Sequence, residues 1–308
     1  MKKKLFAFLL FLSLSSLAVA SEKDNGTAGA NFLKIAPSAR AASLGGAFCA
    51  LADDPQAPYF NPAGLVQIKE RAFGFSYTKW AEDVKSGFIS LAFPSFWKMD
   101  GVLGLNLLYM GIGGIEGRDE SGGQNGDFSC EGMAAGISYG EPVRIFDKDF
   151  LLGGSLKLIY ERLDNESGST PALDLGLLFK AAPELTLGAS LKNLGPKKLR
   201  VGEKASSLPT TMTTGVAYKA KNTTFVFDLN IPNDEEIFFS AGAEYWHKKR
   251  YAVRAGYKSQ EDELDYSNLT FGLGYRAKRF GKIGHLDYAY SSLGDLGDVH
   301  RVSYIAQF

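Results

Sequence analysis

Cysteine is nearly absent from this 308-residue chain, occurring only as Cys49 and Cys130. Two cysteines cannot form a disulfide scaffold. They allow one bridge or two separate thiols, and separate thiols are the simpler expectation. Histidine is almost as scarce: His247, His285 and His300 show no HExxH or other metal-ligand spacing, and no G-x-S-x-G elbow occurs. The chain is expected to be non-enzymatic, with no cofactor and no metal. Charge of one sign is also lacking, with 34 basic against 34 acidic residues. That balance gives no footprint for nucleic acid. Finally, no stretch beyond residue 20 is apolar for long enough to cross a bilayer as a helix.

What is present begins at the amino terminus. Lys2, Lys3 and Lys4 precede an apolar run from Leu5 to Leu17 and an A-x-A site at Ala18-Val19-Ala20, the order of an export signal removed near Ala20. Ser21 follows, so no lipidated cysteine anchors the mature end. Loss of the three lysines leaves 31 basic against 34 acidic residues, a formal charge of about −3.

From Ala72 onward the pattern has a period of two. One face collects Leu103, Leu105, Leu107 and Tyr109, then Leu156, Leu158 and Tyr160, then Leu173, Leu175, Leu177 and Phe179, and later Leu269, Phe271, Leu273 and Tyr275. The other face holds Gly, Ser, Thr and the charges Lys157, Glu161, Asp174, Asp228, Arg254, Arg276, Asp287 and Arg301. Alternation of this kind builds a strand with one apolar and one polar side. About fourteen such segments are countable, the expectation for an all-β transmembrane antiparallel barrel whose mean hydropathy, −0.09, is ordinary because only alternate residues meet lipid. A soluble β-sandwich or propeller would need a second layer or repeating blades to cover those faces, and no fixed-period repeat exists.

Two further features fit a barrel. The 11 prolines read as segment ends or connections, with Pro142 and Pro171 among them. The connections alternate in length, long at Gly111 to Gly132, Asn193 to Thr210, Ser259 to Ser267 and Ser291 to Val299, and short at Ala181 to Glu184, Lys219 to Asn222 and His247 to Lys249. Gly140 to Asp149, of middling length, falls on the short side. The last strand places Val302, Tyr304 and Phe308 on one face and finishes on that aromatic residue. This resembles the signal by which the barrel assembly machinery of Gram-negative bacteria recognises its clients. The chain then divides into an export signal (1–20), an amino-terminal segment (21–71) and a barrel (72–308) in the outer membrane of a diderm bacterium, with outer-membrane lipid around it.

The segment before the first strand is rich in Ala and Gly, has no period-two order, and offers two helix starts, Asp54 capping before Pro55 and Asn61 capping before Pro62. It is expected to form a short helical hatch inside the lumen, where Arg40, Asp53 and Asp54 find partners; the alternative is a tail outside the barrel. The runs Asn31-Phe32-Leu33-Lys34-Ile35, Ser38-Ala39-Arg40-Ala41-Ala42-Ser43-Leu44-Gly45-Gly46-Ala47-Phe48, Ala52-Asp53-Asp54 and Tyr59-Phe60-Asn61-Pro62-Ala63-Gly64-Leu65, with Leu191-Lys192-Asn193-Leu194-Gly195 and Leu208-Pro209-Thr210-Thr211 further on, resemble the PorV/PorQ family of the FadL-like barrel group. That resemblance implies a fourteen-stranded barrel with a hatch, and a protein-binding role in type IX-like secretion or surface attachment, with secretion components or exported cargo as partners. The alternative it implies is passive transport of apolar small molecules, as in FadL relatives. In that case Asp53, Asp54, Asn61 and the inward charges line a gated path; the simpler role of such charges is to pair and hold a plug.

Four weaker signals have an ordinary structural reading. His285 is a lumen or turn histidine and not the partner of a catalytic serine. Gly272-Leu273-Gly274-Tyr275-Arg276-Ala277 lies in a strand, so it lacks the helix that a dinucleotide fingerprint requires. The acidic stretch with Asp119, Glu120 and Asp127 lacks the spacing of a calcium loop, and the basic links at Lys219 to Lys221, His247 to Arg250 and Lys278 to Lys282 are solvated turns or meet anionic lipid heads or partners.

Overall fold

Successive side chains of a strand point to opposite sides, and this chain uses that fact around a full circle. The computed structural model describes residues 26–80, 84–98, 100–118, 122–259, 268–279, 282–292 and 297–308. The export signal at 1–20 and the acidic positions Asp119 and Glu120 lie outside the described residues. The strands are β1 (Ala72–Lys79), β2 (Lys85–Pro94), β3 (Val102–Arg118), β4 (Gln124–Ile145), β5 (Lys148–Leu163), β6 (Glu166–Ala182) and β7 (Leu185–Leu194). A small hairpin, β8 (Leu199–Val201) and β9 (Lys204–Ser206), intervenes. Then follow β10 (Thr211–Ala220), β11 (Thr223–Pro232), β12 (Phe238–His247), β13 (Tyr251–Lys258), β14 (Leu269–Arg279), β15 (Lys282–Ser292) and β16 (Asp298–Gln307).

All of these except β8 and β9 form one closed barrel of fourteen strands, each hydrogen-bonded to its sequence neighbour in the wall, with β1 against β16 closing the ring. The closing ladder is antiparallel and pairs Phe75 with Tyr304 and Tyr77 with Val302. Closure leaves no sheet edge unpaired, which is what a spanning structure needs in lipid. Leu156 is 70% exposed and Leu273 60% exposed, while Asp174 and Ser90 are fully buried. The apolar side therefore faces out and the polar side faces in, the inverse of a water-soluble fold. Among the described residues no helix is long and apolar enough to cross a membrane. Val302, Tyr304 and Phe308 are on the outer surface, and Ile305, the residue that breaks the alternation of the last strand, is buried.

Three expectations need correcting. Most of Gly111 to Gly132 is not a loop: β3 and β4 continue as a paired ladder through Ile112 and Cys130, with register shifts beyond. Backbone pairing needs no apolar alternation, so a polar, glycine-rich stretch continues the ladder past the lipid. Gly140 to Asp149 is likewise laddered as far as Ile145 and Lys148, leaving Phe146 and Asp147 as the turn. Consequently Pro142 and Pro171 lie inside β4 and β6. Each sits where its strand overhangs one neighbour: β3 starts opposite Gly140, and β7 pairs with β6 only from Leu173 on. A proline missing its N–H is tolerated on such a locally unpaired side.

The hatch lies within the barrel. It contains helical turns at Asn31–Lys34, Ala39–Ala42, Ala57–Phe60 and Pro62–Gln67. Asn61 caps the last of these by accepting from the Ala63 N–H at 3.1 Å, and Ser38 caps Ala39–Ala42. Asp54 does not cap a helix at Pro55. Its carboxylate accepts from the Gln56 N–H at 2.9 Å, a local turn that postpones the helix to Ala57. Leu44, Ala47, Phe48, Leu51 and Phe60 pack with Ala217 and Val226 of the wall, and Phe32 and Leu33 pack with Phe88, Leu108, Ala134 and Ile159. Burial of each such Leu or Phe is worth about 1.5–3 kcal/mol, so the apolar contacts alone hold the hatch firmly.

Candidate functional site

The lumen is tight because glycine replaces side chains where the hatch touches the wall. A Cβ at Gly188 would lie 2.7 Å from the Ala50 Cα, and one at Gly242 would lie 2.7 Å from the Leu44 carbonyl oxygen. Gly153, Gly176, Gly256 and Gly272 meet Ala63, Asn61, Gly45 and Ser43 in the same way. These glycines stand on the polar face of their strands, and alternation alone does not show what they admit. On the hatch side Gly45, at φ 70°, turns against the Tyr257 backbone, and a Cβ at Gly64 would collide with Ala52.

Polar side chains then fasten the hatch. The Asn61 amide donates to the carbonyl oxygens of Cys49 (2.9 Å), Leu177 (3.1 Å) and Ala189 (3.3 Å), joining hatch to β6 and β7. Pro62, which follows it, begins the last helical turn. One oxygen of Asp228 accepts from the N–H groups of Phe48 (2.8 Å) and Cys49 (2.9 Å). Cys49 and Cys130 are both free thiols.

A charge chain begins on the next strand, β12, beside the β11 that carries Asp228. Arg40 donates to Asp53 at 2.6 Å, grips Glu244 with two bonds of 2.9 and 3.0 Å, and lies 3.6 Å from Asp54. Glu244 also accepts from Arg254 at 2.7 Å, and Arg254 reaches Asp287 at 2.8 Å. Glu244, Arg254 and Asp287 are each under 5% exposed, so every charge here depends on its neighbours. Arg276 lies 4.4 Å over the Trp246 ring, and His285 packs edge-on against the same ring.

The other predicted lumen charges sit elsewhere. Lys157 pairs with Asp174 at 2.8 Å, and Asp174 accepts from the Asn193 N–H at 2.7 Å. Asn193 occupies a bulge in β7 on left-handed backbone, φ 60°, a conformation asparagine tolerates. Glu161 accepts from the Ala30 N–H at 3.2 Å. Arg301, like Arg276, makes no ion pair among the described residues. It is 7% exposed, donates to Ser291 at 3.2 Å, and lies 5.8 Å over the Trp80 ring. Its Nε has no hydrogen-bond partner, and no carboxylate among the described residues pairs with it.

Arg301 borders a cavity of about 350 Å³ between the hatch and the barrel end that carries the longer connections. Leu33, Ile35, Tyr59 and Phe60 of the hatch form its floor, and Trp80, Pro209, Phe238, Lys192, Asn230 and Thr270 form its walls. Lys192 is 5.3 Å above the Tyr59 ring. At the rim Lys34 bonds to Asp234 and Glu235, each at 2.7 Å; burial pulls its pKa down, but these two carboxylates outweigh that and leave it raised. Trp80 and Phe238 were not legible as cavity residues, because strand ends carry no periodic signal, and Tyr59 was legible only as part of the run Tyr59-Phe60-Asn61-Pro62. Among the described residues no group of His, Cys, Asp or Glu is arranged to hold a metal ion.

No family model matches the sequence, and no curated protein does. Solved structures do. The monoaromatic hydrocarbon channel CymD superposes with a TM-score of 0.64 at 14% identity, over 87% of this chain and 96% of that one. The toluene transporter TbuX of Ralstonia pickettii gives 0.62 at 14% identity, over 88% and 97%. A FadL homologue from Pseudomonas aeruginosa gives 0.57 at 11% identity, over 85% and 95%. At these identities the likeness is one of fold, and in fold this chain is a FadL-like barrel of fourteen strands closed around an amino-terminal hatch.

Proposed function

We propose that this barrel is an outer-membrane channel for passive uptake of small, largely apolar molecules, with a preference for those bearing a carboxylate or similar anionic head. One observation carries the reading: a cavity of about 350 Å³ whose walls mix apolar and polar side chains contains a buried guanidinium, Arg301, that has no counter-charge among the described residues. Its volume is within the range of about 300–1,000 Å³ usual for ligand pockets. A buried cation without a partner is costly, and a ligand carboxylate removes that cost. The named hydrocarbon channel and toluene transporter of the same fold support the apolar part of the reading. Onward passage requires the hatch to yield, since the glycine contacts leave it no free margin. Outer-membrane placement, export through residues 1–20, and recognition of the Val302, Tyr304 and Phe308 face by the assembly machinery belong to the same reading, supported by the apolar exterior.

The test uses Trp80, which faces Arg301. In a Trp97→Phe/Trp246→Phe background, benzoate is expected to quench fluorescence saturably and toluene more weakly. Arg301→Gln should weaken benzoate at least about tenfold, the minimum for a lost charged contact, and leave toluene unchanged. Absence of saturable binding for both ligands, or indifference of benzoate to Arg301→Gln, overturns the reading. A PorV/PorQ-type role in secretion or surface attachment is the second reading, favoured by the hatch motifs from Asn31 to Leu65. Co-purification of a stoichiometric exported protein from native membranes would support it.

A further inference from the structure

We propose that half of the barrel's inner rim is a binding platform for anionic phospholipid in the periplasmic leaflet. The three short turns joining β10 to β11, β12 to β13 and β14 to β15 are consecutive around the wall. With the strand ends beside them they carry Lys221, Lys248, Lys249, Arg250, Lys278 and Lys282, all exposed. No Asp or Glu occurs in 218–224, 245–252 or 275–284. The turns on the other half carry Asp100, Asp147 and Glu184 among their residues, so basic charge is concentrated on one side.

The geometry selects lipid over a protein at the lumen mouth. Arg250 donates to the Tyr275 hydroxyl at 2.6 Å and lies 5.7 Å over the Tyr251 ring and 5.3 Å over the Tyr275 ring. Tyr251 and Tyr275 are register partners on the outer surface, part of an aromatic row that continues through Tyr218, Phe225, Tyr245, Tyr304 and Phe308. Such rows mark the depth of the lipid head groups. Lys282 likewise sits 5.9 Å over the outward Phe308 ring. Two of the cations are thus held on the outside of the wall, at phosphate height, and directed away from the lumen. Lys219 is the exception; it turns inward to Asp53 at 3.6 Å and is not part of the platform. The ligand chemistry is a phosphodiester with net negative charge, as in phosphatidylglycerol, and not the zwitterionic phosphatidylethanolamine head.

The inference assumes the outer-membrane orientation proposed above but not its transport role. The experiment therefore reads lipid and never uptake. Full-length protein in neutral detergent is titrated with phosphatidylglycerol or phosphatidylethanolamine, and retained lipid is measured by native mass spectrometry. Folding of each variant is verified by heat-modifiable migration on gels. Wild type should retain phosphatidylglycerol preferentially, and more weakly at high salt. Lys248→Gln/Lys249→Gln/Arg250→Gln should lose about a hundredfold in affinity, roughly fivefold for each basic charge near the surface. Arg144→Gln/Lys148→Gln, on the other half of the rim, should bind as wild type. Equal retention of the two lipids, an unchanged triple variant, or the same loss in the control overturns the proposal. So does capture of an acidic periplasmic protein by these turns with no lipid preference.

Discussion

Replacing Glu244 by Gln should release the hatch without unfolding the barrel. Glu244 is 1% exposed and lies between two guanidiniums, bonded to Arg40 at 2.9 and 3.0 Å and to Arg254 at 2.7 Å. The amide keeps the volume but removes the charge that both arginines share. Breaking a buried pair from one side costs about 3–5 kcal/mol. Arg40 keeps Asp53 and Arg254 keeps Asp287, so the lower end applies: about 3 kcal/mol, or more than a hundredfold in the equilibrium for hatch displacement. Glu244 and Arg254 also face each other across β12 and β13, but there the backbone ladder holds the wall together. Cys49 is the reporter: it is a free thiol, 2% exposed, deep in the hatch. In a Cys130→Ser background its reaction with a small maleimide in folded protein should accelerate by about two orders of magnitude in Glu244→Gln. Arg40→Met/Glu244→Met should label more slowly than the two single changes predict if summed, since removing both charges leaves neither stranded. An unchanged labelling rate in Glu244→Gln, with the barrel intact, would refute the view that this charge chain fastens the hatch.

Other expectations concern the wall and the hatch seat. Leu175→Arg, at an outward position 45% exposed, should lower barrel stability by about 2–4 kcal/mol in a refolding titration if it lies near the midplane. Asp174→Asn should also destabilise, because Lys157 and the Asn193 N–H both depend on that carboxylate; equal tolerance of the two changes would count against the register. Asn61→Ala removes a helix cap and three bonds to backbone carbonyls. It should cost about 2–4 kcal/mol, near 1 kcal/mol per lost contact, measured as earlier protease cleavage within 26–71. Gly188→Val should expel or distort the hatch, because the Ala50 backbone occupies the space; wild-type Cys49 labelling in that variant would show the contact to be unimportant.

How much was legible in the sequence follows from which interactions are local. Alternation is a property of the strand itself, so Leu173, Leu175 and Leu177 against Asp174 announced an apolar outside and a polar inside, and the count of such segments gave the size of the barrel. The Asn61-Pro62 helix start was legible for the same reason, since a cap bonds to a residue two positions away. Asp54, also read as a cap, makes the same bond two positions on, to the Gln56 N–H, but Pro55 and Gln56 form a turn and the helix starts only at Ala57. The long paired ends of β3, β4 and β5 were hidden, because a ladder outside the lipid is held by backbone bonds and leaves no apolar period. Only the tertiary structure determined which charges meet: Arg40 and Glu244 are two hundred and four positions apart, and their pairing depends on how far the hatch enters the lumen. The same holds for Arg301, whose lack of a carboxylate partner among the described residues is visible only once the whole ring has closed around the cavity. Composition and periodicity determined that a barrel forms; the closure of that barrel around the hatch determined where a ligand can bind.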